Sequence, residues 1–339
     1  MKSPETIRAA TVTRGNGVEA VHEAVIVVLD ESGNVSKSLG DPEFLTFTRS
    51  SIKPFQALAL LESGAAEEFN LTDKELALCC GSHNGADDHR QAAESILSKA
   101  GASPEQLQCG SHWPGWMRLN TEYPSHGEDK DPLRNNCSGK HAGFLAVARK
   151  LGDDPADYLN PESKTQRLVR QMLSATLDVD FDGLPTGIDG CSAPNYALPL
   201  RNLALGFLRL ANASGGALGR IARVMREYPE MVSGEKRFDL ALAQTFPDDV
   251  VCKVGAEAIE GIGFQSSPMS LAVKVSDGGT RALHAICLEA IKQQGLLDGV
   301  DVSRLREMIR PPVKNHRGLV TGEIIPEFEL GPLGESRLG

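Results

Sequence analysis

Arg49-Ser50-Ser51-Ile52-Lys53-Pro54-Phe55 is the stretch whose reading decides the fold. Phe55, Leu58 and Leu61 follow as an apolar stripe at helical spacing, so this segment opens a helix. Pro54 fits only if that helix begins near Ser50, because first-turn amides have no internal partner. Ser50 then stands at a helix N-terminus, where partial positive charge favours a developing anion. Lys53, three residues on, faces the same way. A lysine so placed can take the serine proton if burial lowers its pKa toward neutrality. The plainer reading is that Ser50 is an ordinary helix cap. Ser233 and Lys236 share the spacing, but Gly234 and Glu235 place them in a solvated loop.

Upstream, Val21 to Leu29 is rich in β-branched residues, is broken by Asp30-Glu31-Ser32-Gly33-Asn34 and resumes at Val35, which predicts a hairpin. A strand pattern returns at Ser270 to Val275 and ends in the turn Asp277-Gly278-Gly279; the two can share one sheet. The middle of the chain reads as mostly helical. Thr72 with Glu75 is a capping-box signal, and helices are expected over 87–99, 143–150, 163–175, 215–226 and 282–294. Cys109 to Asn136, with Trp113, Tyr123 and Pro124, has little periodicity, and loops of that length in a compact domain are usually functional. Cys80-Gly81-Ser82-His83 is echoed at Cys109-Gly110-Ser111-His112, and the second copy is given no catalytic weight.

The 339 residues correspond to about two domains at roughly 150 residues each, or to one large one. A chain of this length buries about 75% of its unfolded surface and needs no disulfide to fold. The net charge of −10 and an aromatic content of 5% argue against nucleic acid as a partner. No run approaches the ~20 apolar residues of a membrane span, and the first residues do not read as a signal peptide. Seven cysteines, an odd number, point to free thiols or metal ligands in a reducing cytoplasm.

His22-Glu23 begins like a zinc-protease helix, but Ile26 occupies the place of the second histidine. Gly190-Cys191-Ser192-Ala193-Pro194 resembles a nucleophile elbow, but proline replaces the closing glycine. No phosphate-binding loop and no dinucleotide fingerprint are present. Cys137-Ser138-Gly139-Lys140-His141 with Asp189-Gly190-Cys191 offers two thiolates for zinc. His141 is the conventional third ligand and Lys140 the unconventional one, since holding a lysine neutral near pH 7 costs about 4.6 kcal/mol that coordination must offset. Two unrelated free cysteines are the alternative. Lys274 either places a cation at an active-site edge or decorates an edge strand. Ser82 is either a second nucleophile or a loop hydroxyl.

Taken in order, Arg49-Ser50-Ser51-Ile52-Lys53-Pro54, Cys80-Gly81-Ser82-His83, Asn136-Cys137-Ser138-Gly139-Lys140-His141, Asp189-Gly190-Cys191, Met231-Val232-Ser233-Gly234, Lys253-Val254-Gly255-Ala256-Glu257, Lys274-Val275-Ser276-Asp277-Gly278 and Gly322-Glu323 resemble the rhizobial-type asparaginase family, also called asparaginase II. The resemblance implies an α+β fold like that of serine β-lactamases and penicillin-binding proteins, with helices packed against an antiparallel sheet. The whole chain, 1–339, is then one catalytic unit, its site assembled from residues 49–274. Two serine–lysine pairs are implied, Ser50 with Lys53 and Ser82 with Lys274. A zinc site of Cys137, Lys140 and Cys191 is also implied, together with substrate contacts from Arg49, His141 and Asp189. Ala258 stands where the family pattern has glycine, which bears on local loop conformation.

The expected reaction is hydrolysis of L-asparagine through an acyl-enzyme by a cytoplasmic homodimer, with zinc as a cofactor that the chemistry need not require. The alternatives are a glutaminase-type amidohydrolase and a non-enzymatic zinc- or thiol-binding protein. A β-lactamase or peptidase is disfavoured for a chain without a signal peptide.

Overall fold

The computed structural model describes residues 6–122 and 130–332. Tyr123 and Pro124 of the long loop, and the first five residues, lie outside them. The chain divides into two compact units, one of residues 1–51, 197–211 and 244–339, the other of residues 52–196 and 212–243.

The first unit is built on an antiparallel sheet of β1 (Ile7–Arg14), β2 (Gly17–Leu29), β3 (Val35–Leu39), β7 (Val250–Gly255), β8 (Ile259–Phe264), β9 (Met269–Val275), β10 (Pro312–Lys314) and β11 (Val320–Pro326). The strand order is β10-β11-β1-β2-β9-β8-β7, with β3 also pairing β2. The expected hairpin and late strand do meet, Ala24 facing Val275 and Val28 facing Leu271. Val25 to Leu29 are all buried, as the near-continuous apolar run of a central strand requires. The short β4 (Leu45–Phe47) pairs Ala197 to Pro199.

The sequence reading did not anticipate β1, β7 or β8. Alanine-rich β1 and glycine-bearing β8 both dilute the β-branched signal. The glycines of β8 serve packing: a Cβ on Gly261 would run into the Phe207 ring, and one on Gly263 into the Phe207 carbonyl. The helix Leu200–Asn212 therefore lies close over that part of the sheet, and Ser270 Oγ on β9 donates to the Ala204 carbonyl at 2.7 Å. The helix Leu283–Lys292 also packs on strands of the sheet.

The second unit is helical around Ser138–Leu151, whose residues from Ser138 to Ala148 are buried. That helix starts five residues before the expected Gly143, because Ser138, Lys140 and His141 carry polar side chains that the fold nevertheless buries. The helices Asp73–Cys79, Asp87–Lys99 and Lys164–Leu177 pack around it. Gly139 permits the closest approach, since a Cβ there would stand 2.7 Å from the Leu78 carbonyl oxygen. The capping box at Thr72 and Glu75 forms as read, and Ser163 caps its helix through Gln166 N. Within this unit β5 (Thr186–Ile188) and residues 194–196 of β6 (Pro194–Pro199) make a hairpin whose turn carries Asp189 and Cys191. No helix among the described residues is long and apolar enough to cross a membrane.

Ala258 adopts φ +54° directly after Glu257 at φ +61°. Left-handed backbone costs a residue with a Cβ roughly 1–2 kcal/mol, which is the physical reason glycine suits the position. Ala258→Gly is expected to raise unfolding stability by about 1 kcal/mol, after allowing for the backbone entropy glycine loses on folding. Urea denaturation at constant m-value measures it; a loss of stability would contradict the strain.

Candidate active site

In the helical unit, Lys53 opens the helix Lys53–Gln56 with Pro54 in the first turn, as the sequence requires. The preceding 3-10 turn, Arg49–Ile52, carries Ser50. Lys53 is 1% exposed, and burial holds its amine below the ordinary lysine value, against the opposing pull of the Cys137 thiolate. Its Nζ lies 2.6 Å from the Gly81 carbonyl, 3.1 Å from the Asn136 carbonyl and 2.9 Å from Ser82 Oγ. A neutral amine has two N–H groups and one lone pair. Two carbonyls can accept the N–H groups but cannot donate in return, so the lone pair is left to the one partner with a proton, the Ser82 hydroxyl.

The loop bearing Ser82 is tied down on both sides. Ser82 N donates to the Val232 carbonyl at 2.8 Å. The neighbouring His83 accepts from Gly85 N at Nδ1 and contacts Ser138 Oγ with Nε2 at 3.1 Å. Burial drives His83 well below the ordinary histidine value. The ring is therefore neutral with its proton on Nε2, which donates to Ser138. His83 also stacks on His89, with centroids 4.7 Å apart.

Cys137 is the N-cap of the long central helix, a position where the helix dipole favours a thiolate. The thiol of Cys191 hydrogen-bonds to it and Lys53 and Lys140 lie near, which together carry Cys137 well below the usual thiol value. Cys191 is raised in turn by the bond to Cys137. The two sulfurs thus share one proton, with the negative charge on Cys137. Lys140 Nζ donates to Cys191 Sγ at 3.1 Å. Its own burial works against the ammonium, but the two sulfurs outweigh it and Lys140 is pushed up to about 12.

His141 is pushed down to about 4 by burial. Its Nδ1 meets Tyr158 Oη at 2.7 Å, while its buried Nε2 has no hydrogen-bond partner among the described residues. Asp189 accepts from Gly190 N at 2.7 Å and from Asn195 Nδ2 at 3.1 Å, and its charge bears on Lys140. The turn holding Cys191 inward is closed by Ser192 N donating to the Asp189 carbonyl at 2.9 Å, with Ser192 at φ +69°.

Among the described residues no group of three His, Cys, Asp or Glu side chains is placed to hold a metal. The donor set that does converge is two sulfurs and an amine, soft and buried, beside the orphaned His141 Nε2. That chemistry fits zinc once the shared thiol proton and the Lys140 proton are released.

The sheet unit carries the other named residues. Lys274, 7% exposed on β9, donates to the Val275 carbonyl at 2.6 Å and to the Glu257 carbonyl. Burial lowers its pKa, while the charges of Glu257 and Asp277 oppose the shift and that of Arg49 adds to it. Arg49, at φ +50°, reaches Glu257 at 3.8 Å.

Sequence reading passed over three groups that shape the helical site. Asn136 was quoted in a motif without a role, yet its carbonyl holds Lys53. Tyr158 carried no signal. His112, from the discounted second copy of the Cys-Gly-Ser-His echo, accepts from Asn136 N at 3.3 Å. A cavity of about 530 Å³ opens here, lined by His83, His112, Trp113, Asn136 and Arg237 among others.

A buried lysine amine on a serine hydroxyl, beside paired cysteines, is an arrangement suited to a hydrolase, and comparison with known proteins agrees. The family model described as L-asparaginase II matches residues 10–326, so the chain belongs to the L-asparaginase II family and is an amidohydrolase of asparaginase type. No curated protein matches it. Among solved structures it is similar to the octameric penicillin-binding protein homologue from Pyrococcus abyssi, at 13% identity over 93% of this chain and 85% of that one, with a TM-score of 0.37. A likeness that slight bears no weight here; the α+β class stands on the helices and antiparallel sheet themselves.

His83 gives the site a pH signature. Its folded pKa lies below the ordinary value near 6.5, so the unfolded chain binds the extra proton first as pH falls. Its contribution is complete above about pH 6.5 and is lost below it at roughly 1.4 kcal/mol per pH unit. Urea denaturation at pH 7 and pH 5.5 should show this loss together with that of the likewise buried His141, and His83→Gln, which keeps a donor for Ser138, should reduce the slope by His83's share; an equal slope in the variant would assign the effect elsewhere.

Proposed function

We propose that the chain hydrolyses L-asparagine to L-aspartate and ammonia by serine–lysine chemistry. The observation that carries this reading is Lys53, buried, donating to the Gly81 and Asn136 carbonyls with its remaining valence on Ser82 Oγ at 2.9 Å. Ser50, three residues earlier on the turn that runs into the same helix, attacks the side-chain amide carbon. Lys53 takes its proton by way of Ser82, whose hydroxyl already sits on the amine, and the same relay passes a proton to the departing ammonia. Water then cleaves the aspartyl ester. Backbone amides at the helix start stabilise the tetrahedral oxyanion. Lys274, depressed by burial, is a second carrier for the same proton traffic, and Arg49, His141 and Asp189 bind the substrate.

Cys137, Lys140 and Cys191 would hold the zinc. With zinc held by these three residues, the hairpin turn bearing Asp189 would be tied to the N-terminus of the central helix. A glutaminase is the nearest competing activity, and one methylene of substrate length is worth only about 1–3 kcal/mol of discrimination. A homodimer is the assembly the family resemblance implies, and sedimentation equilibrium reads it directly.

Ammonia release from asparagine and from glutamine by the purified protein is the primary test; turnover of neither would overturn the assignment. Ser50→Ala and Lys53→Met are each expected to lower kcat by about 10³-fold or more, and Ser82→Ala by about 10²-fold. Full activity in Ser50→Ala would remove it as the nucleophile. Metal analysis after dialysis is expected to find zinc in the parent protein and none in Cys137→Ser. Turnover that persists after complete chelation would make the metal structural.

A further inference from the structure

The turn that follows Lys274 is braced by a chain of side chains with no part in the chemistry above. Asp277 Oδ2 pairs with His22 Nδ1 at 2.8 Å, and Oδ1 accepts from Gly279 N at 2.6 Å. His22 Nε2 accepts from Arg281 Nε at 2.9 Å. A ring that accepts at Nε2 carries its proton on Nδ1, so His22 donates to Asp277 through Nδ1. Its side chain is 6% exposed and that of Asp277 49%, so the buried ring anchors a half-exposed carboxylate. Both Asp277 oxygens are therefore engaged within the turn. The carboxylate is nonetheless near enough for its charge to act on the Lys274 amine, which is bonded to the Glu257 and Val275 carbonyls.

We infer that His22 is a positioning residue: by holding Asp277 in the turn it keeps that carboxylate from closing onto Lys274 as an ion pair, and so leaves the Lys274 amine able to take a proton. The inference rests on the reading of Lys274 as part of the proton traffic.

The charged and titratable groups around this end of the sheet are Glu257 and Glu260 from β8 and the turn before it, Lys253 from β7, Arg49 from the 3-10 turn, His22 and Glu23 from β2, and Asp277 and Arg281 themselves. Glu23 is turned to Thr6, whose Oγ1 it accepts at 2.6 Å. Glu257 faces Arg49 at 3.8 Å. Asp277 is thus the carboxylate whose placement depends on His22.

The experiment is the pH profile of kcat/KM for asparagine hydrolysis. His22→Leu frees Asp277 to pair with Lys274 and is expected to move the acidic limb up by about one pH unit. Asp277→Asn keeps an acceptor for His22 but removes the charge, and is expected to move the limb down. The double variant should follow Asp277→Asn, because without the charge there is nothing for His22 to restrain. His22→Asn, which returns a donor near the Nδ1 position, should restore the parent limb.

An unmoved limb in folded His22→Leu, or a double variant that simply adds the two shifts, overturns the inference while the serine–lysine reading stands. Full activity in Lys274→Met overturns that part of the reading and the inference with it.

Discussion

Burying the amine of Lys53 is the constraint around which the helical unit is arranged. An amine taken out of water is costly unless its N–H groups and its lone pair find partners. Here two backbone carbonyls and one hydroxyl supply them, and each comes from a segment the fold must bring in from afar: Gly81 and Ser82 from the end of one helix, Asn136 from the entry to another. The glycine at position 139 follows from the same demand. The central helix can deliver Asn136 and Cys137 to this point only by lying against the Leu78 backbone, with no room for a Cβ.

The polarity of the region follows from charge placed next to charge. One proton shared by Cys137 and Cys191 leaves a thiolate at the helix N-terminus, and that thiolate supports the ammonium of Lys140 while pulling against the deprotonation of Lys53. Histidines in the same unit respond in the opposite sense. His83 and His141 are held neutral by burial, so the local positive charge resides on Lys140. The region is consequently sensitive to anything that removes the thiolate, whether a metal that takes both sulfurs or a substitution that deletes one.

Much of this was legible in the sequence because it is local. The capping box at Thr72, the helix over 87–99, the hairpin around Asp30 and the strand ending at Val275 each follow from periodicity, caps or turn residues within a dozen positions. Pro54 alone placed the start of its helix. The polar start of the central helix was missed because Ser138, Lys140 and His141 look like surface residues until Tyr158 and Cys191 are brought against them. Strand β8 was missed because its glycines, which weaken any strand pattern, are explained only by the Phe207 side of the helix lying above them.

The ordered set of motifs determined by itself the family and marked the serines, lysines and cysteines on which the proposed chemistry rests. A spacing of three residues or a pair of cysteines is written in the chain. The tertiary structure alone decided which groups the buried amine touches. Lys53 was matched in sequence to Ser50, whereas the hydrogen-bond partners the fold gives it are Ser82 and two carbonyls. His22, dismissed as half of a protease motif, was given a partner in Asp277, 255 residues away. Hydrogen bonds and desolvation depend on distance in space, and separation along the chain carries no record of it.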